Sequence, residues 1–162
     1  EETMLKLNRN QMFYLYIAVG LVVLLVIYGL AEKQNQGFWE DYVATEQVVK
    51  LLAENQTESA GEILDDLLPR HPESFQLNWY YGIYLADKQE YQQAQQHYER
   101  ALELAPSLVG DDVFLWRYGK NLYYLGEMEK ARSYLETCSG RVTDAEIKAE
   151  VDQLLSQIQN GA

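Results

Sequence analysis

The hydrophobic pattern divides the chain into two parts. Residues 12–31 form one apolar run without a charge, MFYLYIAVGLVVLLVIYGLA. A helix of this length is about 30 Å long, which matches the hydrocarbon thickness of a bilayer. Tyr14, Tyr16 and Tyr28 lie towards its ends, where aromatic side chains favour the membrane interface. The pattern predicts an N-terminal flank at 1–11, a single transmembrane helix at 12–31 and a linker at 32–40.

Two other interpretations of the apolar run need to be weighed. A buried globular helix that is apolar on all sides would need a larger core than this chain can supply. A cleaved signal peptide is the stronger alternative, because Lys6 and Arg9 resemble a basic leader and Gly29 and Ala31 are small. The run is longer than the apolar region of most signal peptides, which favours an uncleaved anchor.

The positive charges around the run predict its orientation. Lys6 and Arg9 lie close before it, whereas Lys33 and the more distant Lys50 follow it. This bias favours a cytoplasmic N-terminus and a C-terminal domain on the other side of the membrane. A start at Glu1 rather than Met is compatible with a processed chain or with the tail of a longer one.

Beyond residue 40 the apolar positions follow the spacing of paired amphipathic helices joined by short polar turns, such as residues 87–90 and 126–127. One pattern occurs twice. A Tyr-Gly pair ends at Gly82 and again at Gly119, with a Leu three residues later and an Ala twelve residues later. A repeat at this period predicts stacked helix hairpins, because one hairpin cannot bury its apolar face alone.

The repeated positions resemble those of the tetratricopeptide repeat (TPR) family. Asn78 stands where Trp is usual, and Thr143 stands where the closing Pro of the last copy is expected. The repeat-packing positions of the two clear copies are Tyr81, Gly82, Leu85, Ala94, Tyr98, Ala101 and Pro106, then Leu115, Tyr118, Gly119, Leu122, Ala131, Leu135 and Cys138. A degenerate earlier copy has Leu51, Ala60, Leu64, Leu67 and Pro72 in register, with Val48 at its glycine position.

The resemblance implies an all-α fold, an α-solenoid of about three TPR hairpins that follows the transmembrane helix. The array spans 41–143, with copies at 41–74, 75–108 and 112–143. Three extra residues lie in the loop at 107–112, where Asp111 or Asp112 can cap the next helix. Thr143 and Glu146 form a capping-box pattern, which predicts a C-terminal capping helix at 144–159.

In TPR arrays the first helix of each repeat lines a concave groove, and the resemblance implies the partner-binding positions here. They are Tyr42, Thr45, Val49 and Leu52, then Gln76, Trp79, Ile83 and Ala86, then Val113, Trp116, Lys120, Tyr123 and Tyr124. This set is apolar and aromatic with one cation, and aromatic residues are favoured as interface anchors. It lacks the Lys, Asn and Arg set with which some members clamp a C-terminal carboxylate. Alternatively, the C-terminal helix or the linker covers the groove.

The sequence contains no motif that predicts catalysis, a cofactor or a metal site. His71 and His97 are isolated, and Cys138 occupies a position where the repeat requires a small residue. The chain has 13 Lys and Arg against 25 Asp and Glu, a net charge of −12, which disfavours a nucleic-acid partner. The charges of residues 1–31 sum to zero, so the net negative charge belongs to the rest of the chain.

These observations favour a non-enzymatic, membrane-anchored adaptor or scaffold that docks a protein partner or peptide next to the bilayer. Resemblance suggests relatives in the bacterial envelope, a position in the cytoplasmic membrane with the repeats outside, and membrane proteins or membrane-proximal peptides as partners. One alternative is the transmembrane and TPR tail of a polytopic enzyme, such as a rhomboid-type protease or a polysaccharide polymerase, with its active site outside this chain. Another is a structural subunit of a membrane assembly.

Overall fold

The structure, a computed structural model, describes residues 8–161, except for the side chains of residues 33–37. The described residues form helices and contain no strand, so the predicted all-α solenoid class is confirmed. The helices are α1 (Arg9–Ala53), α2 (Thr57–Arg70), α3 (Phe75–Asp87), α4 (Tyr91–Leu104), α5 (Asp112–Tyr124), α6 (Met128–Ser139) and α7 (Ala145–Asn160), with a 3-10 helix at Pro106–Gly110.

The chain forms two compact units, one ending at Val43 and the other beginning at Ala44. In the first unit, the segment Arg9–Glu32 is long and apolar enough to cross a membrane, and none of its side chains is buried within the chain. Residues 32–40, which the sequence predicts as a linker, have helical backbone and belong to α1. Gly37 lies there without a neighbouring proline, and one glycine costs a helix only about 1 kcal/mol.

Three turns of the same geometry mark the repeat in the second unit. Asn55, Gln89 and Gly126 follow α1, α3 and α5, and their φ angles are 56°, 64° and 79°. Each turn closes the preceding helix with the same pair of backbone bonds. In the first, the N–H of Asn55 donates to Leu52 O at 3.2 Å, and the N–H of Gln56 donates to Leu51 O at 2.8 Å. This is the left-handed helix ending that usually favours glycine.

Each hairpin packs its own two helices together, α3 on α4 and α5 on α6, and neighbouring hairpins stack through α2 with α3 and α4 with α5. The repeat-packing positions form the centre of this core. Tyr81 is half-buried and Pro106 is exposed, whereas the other members of the set are buried. They are Gly82, Leu85, Ala94, Tyr98, Ala101, Leu115, Tyr118, Gly119, Leu122, Ala131, Leu135 and Cys138.

The two repeat glycines allow the paired helices to approach closely. A Cβ atom added at Gly82 would lie 3.1 Å from the ring of the fully buried Tyr98. One added at Gly119 would lie 2.9 Å from Leu135 Cδ2. A methyl group at either position therefore crowds the facing side chain, and overpacking of a core typically costs about 1–3 kcal/mol.

The inserted loop and the helix caps complete the array. The three extra residues are accommodated by the 3-10 helix, which buries Leu108. Asp111 is the cap of α5, because its Oδ1 accepts a bond from the N–H of Phe114 at 2.9 Å. The prediction that Thr143 caps α7 is wrong. Asp144 is the cap, and its Oδ1 accepts from the N–H groups of Glu146 and Ile147.

Candidate partner-binding groove

Three helices of the second unit enclose an apolar cavity, which we call the groove. It has a volume of about 260 Å³ and lies between the last turns of α1, the middle of α3 and the start of α5. Its lining residues are Val49, Leu52, Ala53, Trp79, Tyr80, Ile83, Asp111, Val113 and Arg117.

Helical spacing explains why these side chains meet. Trp79 and Ile83 lie four residues apart on α3, and Val113 and Arg117 lie four apart on α5, so each pair shares one helix face. Val49 and Val113 are each 40% exposed, which leaves the groove accessible from solvent. An accessible apolar cavity of this kind can accept the side chains of another molecule.

Trp79 is held in place by other aromatic rings. Its indole stacks on Tyr80 with the ring centroids 5.5 Å apart, and it meets Phe114 edge-on at 5.8 Å. Phe114 is fully buried, so it fixes one side of the indole against the core. A rigid, half-exposed Trp loses little conformational entropy when a partner packs on it.

Two carboxylates lie at the Tyr80 side of the groove. Burial raises the pKa of the Tyr80 hydroxyl, and the negative charges of Glu46 and Asp111 raise it further. Asp111 lines the groove itself and uses Oδ1 to cap α5. Among the described residues, neither carboxylate has a cation within ion-pair distance.

The cation that borders the groove is already paired. Arg117 Nη1 donates to Asp87 Oδ1 at 3.1 Å, and its guanidinium lies over the Trp116 ring at 4.5 Å from the centroid. Both members of this pair are less than one-third exposed. The groove therefore has an apolar floor, a neutralised cation on one side and, on the other, two carboxylates without an ion pair among the described residues.

A second cavity, of about 210 Å³, lies beside the groove and shares Arg117 with it. It is bordered by Tyr91 and Tyr124, whose rings stack with centroids 4.9 Å apart. Lys120 lies here, and its Nζ donates to Glu150 of the C-terminal helix α7. Lys120, which the sequence predicts as a partner-binding residue, is thus paired with Glu150 of α7.

The structure brings only part of the predicted set together. Val49, Leu52, Trp79, Ile83 and Val113 line the groove, whereas Ala86, Lys120 and Tyr124 line the second cavity. The remaining positions line neither cavity. Gln76 and Tyr42 are exposed, Thr45, Trp116 and Tyr123 are half-buried, and Tyr42 belongs to the N-terminal unit.

Four lining residues escaped the sequence analysis as binding positions. Ala53 and Arg117 each lie four residues after a predicted position, Val49 and Val113, so helical spacing could have found them. Asp111 was predicted only as a cap. Tyr80 lies four residues after the predicted position Gln76 and three before Ile83, so the same spacing could have found it.

The groove offers few polar atoms. Its polar atoms belong to Tyr80, Asp111, Arg117 and the Trp79 indole, and Arg117 is committed to its ion pair. Among the side chains that the structure describes, no cluster of three or more His, Cys, Asp or Glu could hold a metal ion. Cys138, the one cysteine, is fully buried, and burial raises the pKa of its thiol. The arrangement is suited to binding.

Comparison with known proteins defines the fold class. No family model matches the sequence, and no curated protein matches it. Among solved structures, the chain is similar to SycD, the type III secretion translocator chaperone of Yersinia enterocolitica. The match has a TM-score of 0.58 and 15% identity, and it covers 73% of this chain and 82% of that one. At this identity the likeness shows an all-helical, repeat-type fold.

Proposed function

We propose that this chain is a membrane-anchored TPR adaptor that docks a protein partner in the groove and does not itself catalyse a reaction. The observation that carries the proposal is the accessible apolar groove built around Trp79. At about 260 Å³ it is smaller than typical small-molecule sites of about 300–1,000 Å³. It suits the anchor side chains of a protein partner better than a cofactor.

The composition and the fold support docking of a protein. Trp and Tyr are favoured at the centres of protein interfaces, where well-packed pockets supply most of the binding energy. The similar SycD is described as a chaperone, a class of protein that acts by binding other proteins. The same mode of action here requires only the groove and no catalytic group.

The apolar segment Arg9–Glu32 supports anchoring in a membrane. It is 24 residues long and exposes all of its apolar side chains, which is unfavourable in water and favourable in a bilayer. Anchoring would raise the effective concentration of the groove for partners in the same membrane. The charge bias around the segment favours repeats on the outer side of the membrane, and the resemblance to bacterial envelope proteins suggests the bacterial cytoplasmic membrane.

The docking proposal is tested by introducing a charge into the groove. We expect Val113→Asp to disrupt the complex formed by the wild-type protein, because a carboxylate placed in an apolar interface loses its hydration. Native gel electrophoresis of mildly solubilised membranes should show the wild type in a larger complex and the variant running free.

Val109→Asp is the matched control. Val109 is 46% exposed against 40% for Val113, and it lies in the 3-10 helix outside the groove lining. It should leave the large complex intact. Loss of the complex in both variants, or in neither, would refute docking in the groove.

A further inference from the structure

We propose, on the basis of the docking function above, that the groove recognises a protein segment in which an apolar anchor residue is followed closely by Lys or Arg. The anchor packs on Trp79, Ile83 and Val113, and the basic group lies between Glu46 and Asp111. The partner is thus defined by its chemistry, a basic and apolar segment rather than an acidic or purely apolar one.

The position of the two carboxylates supports the basic part of this segment. Glu46 lies three residues before the lining residue Val49 on α1 and so shares its helix face, and Asp111 is the cap of α5. Tyr80 and Asp111 line the groove directly. Two carboxylates that form no ion pair with any described side chain, beside an apolar surface, are a complement for an ammonium or guanidinium group.

The other charges near the groove do not offset this preference. Arg117 is bound to Asp87 at 3.1 Å, and Lys120 is bound to Glu150. Lys50, next to Val49 on α1, lies 3.9 Å from Glu54. Arg141 donates to Gly110 O beside Asp111 and lies 3.4 Å from Asp112 Oδ1. Each of these cations therefore has a carboxylate of its own, and the groove side that carries Tyr80 stays negative.

The charge of the whole chain points the same way. With a net charge of −12, the repeats repel acidic segments and attract basic ones before contact. This long-range effect acts on any basic molecule, so it cannot select a segment alone. Glu46 and Asp111 add a preference for basic segments that acts only at the groove. Substitution of these two residues therefore separates the local preference from the effect of net charge.

The experiment compares the affinities of three labelled peptides for the whole chain. The chain is held in nanodiscs of uncharged phosphatidylcholine, and binding is measured by fluorescence anisotropy. The peptides share a Leu-Phe-Leu core, flanked on each side by two Lys, two Gln or two Glu. We expect the Lys peptide to bind about tenfold more tightly than the Gln peptide, as two exposed ion pairs allow. The Glu peptide should bind more weakly than either.

The double variant Glu46→Gln/Asp111→Asn tests the local selection. Asn caps a helix about as well as Asp, so α5 keeps its cap. The preference for Lys over Gln should fall to about threefold or less. The control Glu129→Gln/Glu136→Gln removes the same charge from exposed positions on α6 and should keep most of the tenfold preference.

The outcomes distinguish this inference from the docking function. Equal binding of the three peptides, or no binding of the Lys peptide, would overturn the basic preference. An equal loss of preference in both double variants would also overturn it, because net charge would then explain the effect. If Val113→Asp still abolishes the native complex in any of these cases, docking in the groove stands without the basic segment.

Discussion

Asn78 shows, at the scale of single residues, how a departure from the repeat pattern is accommodated. It stands where TPRs usually have Trp, yet it is only 3% exposed. Its amide nitrogen donates to Pro72 O at 3.0 Å and to Ser74 O at 2.9 Å, and its Oδ1 lies 3.2 Å from His97 Nδ1. The sequence could not predict this cluster, because Asn78 and His97 lie on different helices and Asn is a residue type that is usually exposed.

His97 gives a pH prediction at this scale. Burial lowers its pKa below the ordinary value of 6.5, because the charged imidazolium is poorly solvated beside Tyr81 and Asn78. As the pH falls, His97 is protonated in the unfolded chain before it is protonated in the folded chain. The free energy of unfolding is therefore unaffected by His97 above pH 6.5 and decreases as the pH falls towards the folded-state pKa of His97. His97→Gln should therefore weaken the fall in stability just below pH 6.5.

The measurement is the free energy of unfolding of the full chain in detergent, by urea titration at several pH values between 5 and 7.5. His71→Gln serves as the control for the loss of an exposed imidazole. A pH dependence that is the same in wild type and His97→Gln would show that His97 does not couple to folding.

At the scale of helices, the hydrophobic period of the sequence predicts most of the helices but not the residues at which they end. The paired helices of the two clear repeats were predictable, because Tyr-Gly, Leu and Ala recur at fixed spacing. The capping-box pattern indicated Thr143 as the cap of α7 and was off by one residue, since Asp144 is an equally good cap. The sequence could not show that α1 runs without interruption from Arg9 to Ala53, because Gly37 is as compatible with a break as with a helix.

The anchor makes a prediction about α1. The twelve Leu, Ile, Val and Phe residues of 12–31 contribute roughly −4 to −7 kcal/mol to membrane insertion, and each central Arg costs about 2.5–3.5 kcal/mol. Leu24→Arg/Leu25→Arg should therefore cancel most of the gain. The wild type should stay in the membrane pellet after alkaline carbonate extraction, and the double variant should be released.

Leu24→Ala/Leu25→Ala is the control, because it shortens the same two side chains without adding charge, and it should remain in the pellet. Release of the wild-type chain by carbonate would contradict membrane anchoring.

At the scale of the whole molecule, the repeat architecture was predictable and the groove only partly so. Local spacing identified Val49, Trp79, Ile83 and Val113, because they follow the helix period. The electrostatic character depends on pairs far apart in the sequence, Arg117 with Asp87 and Lys120 with Glu150, each 30 residues apart. Such pairs are set by the stacking of hairpins, which a single sequence does not show. Because these pairs neutralise Arg117 and Lys120, the groove has no free cation among the described residues and is negative on the side of Tyr80.

The central claim is that a protein partner contacts the groove, and site-specific photo-crosslinking tests it most directly. A photo-reactive amino acid is introduced at Val113 or at the control position Val109 in the full chain, in membranes of the cells that make the protein. Crosslinking at residue 113 should yield a discrete adduct with another protein, and crosslinking at residue 109 should yield none. Equal adducts at both positions, or an adduct at residue 109 alone, would contradict docking in the groove.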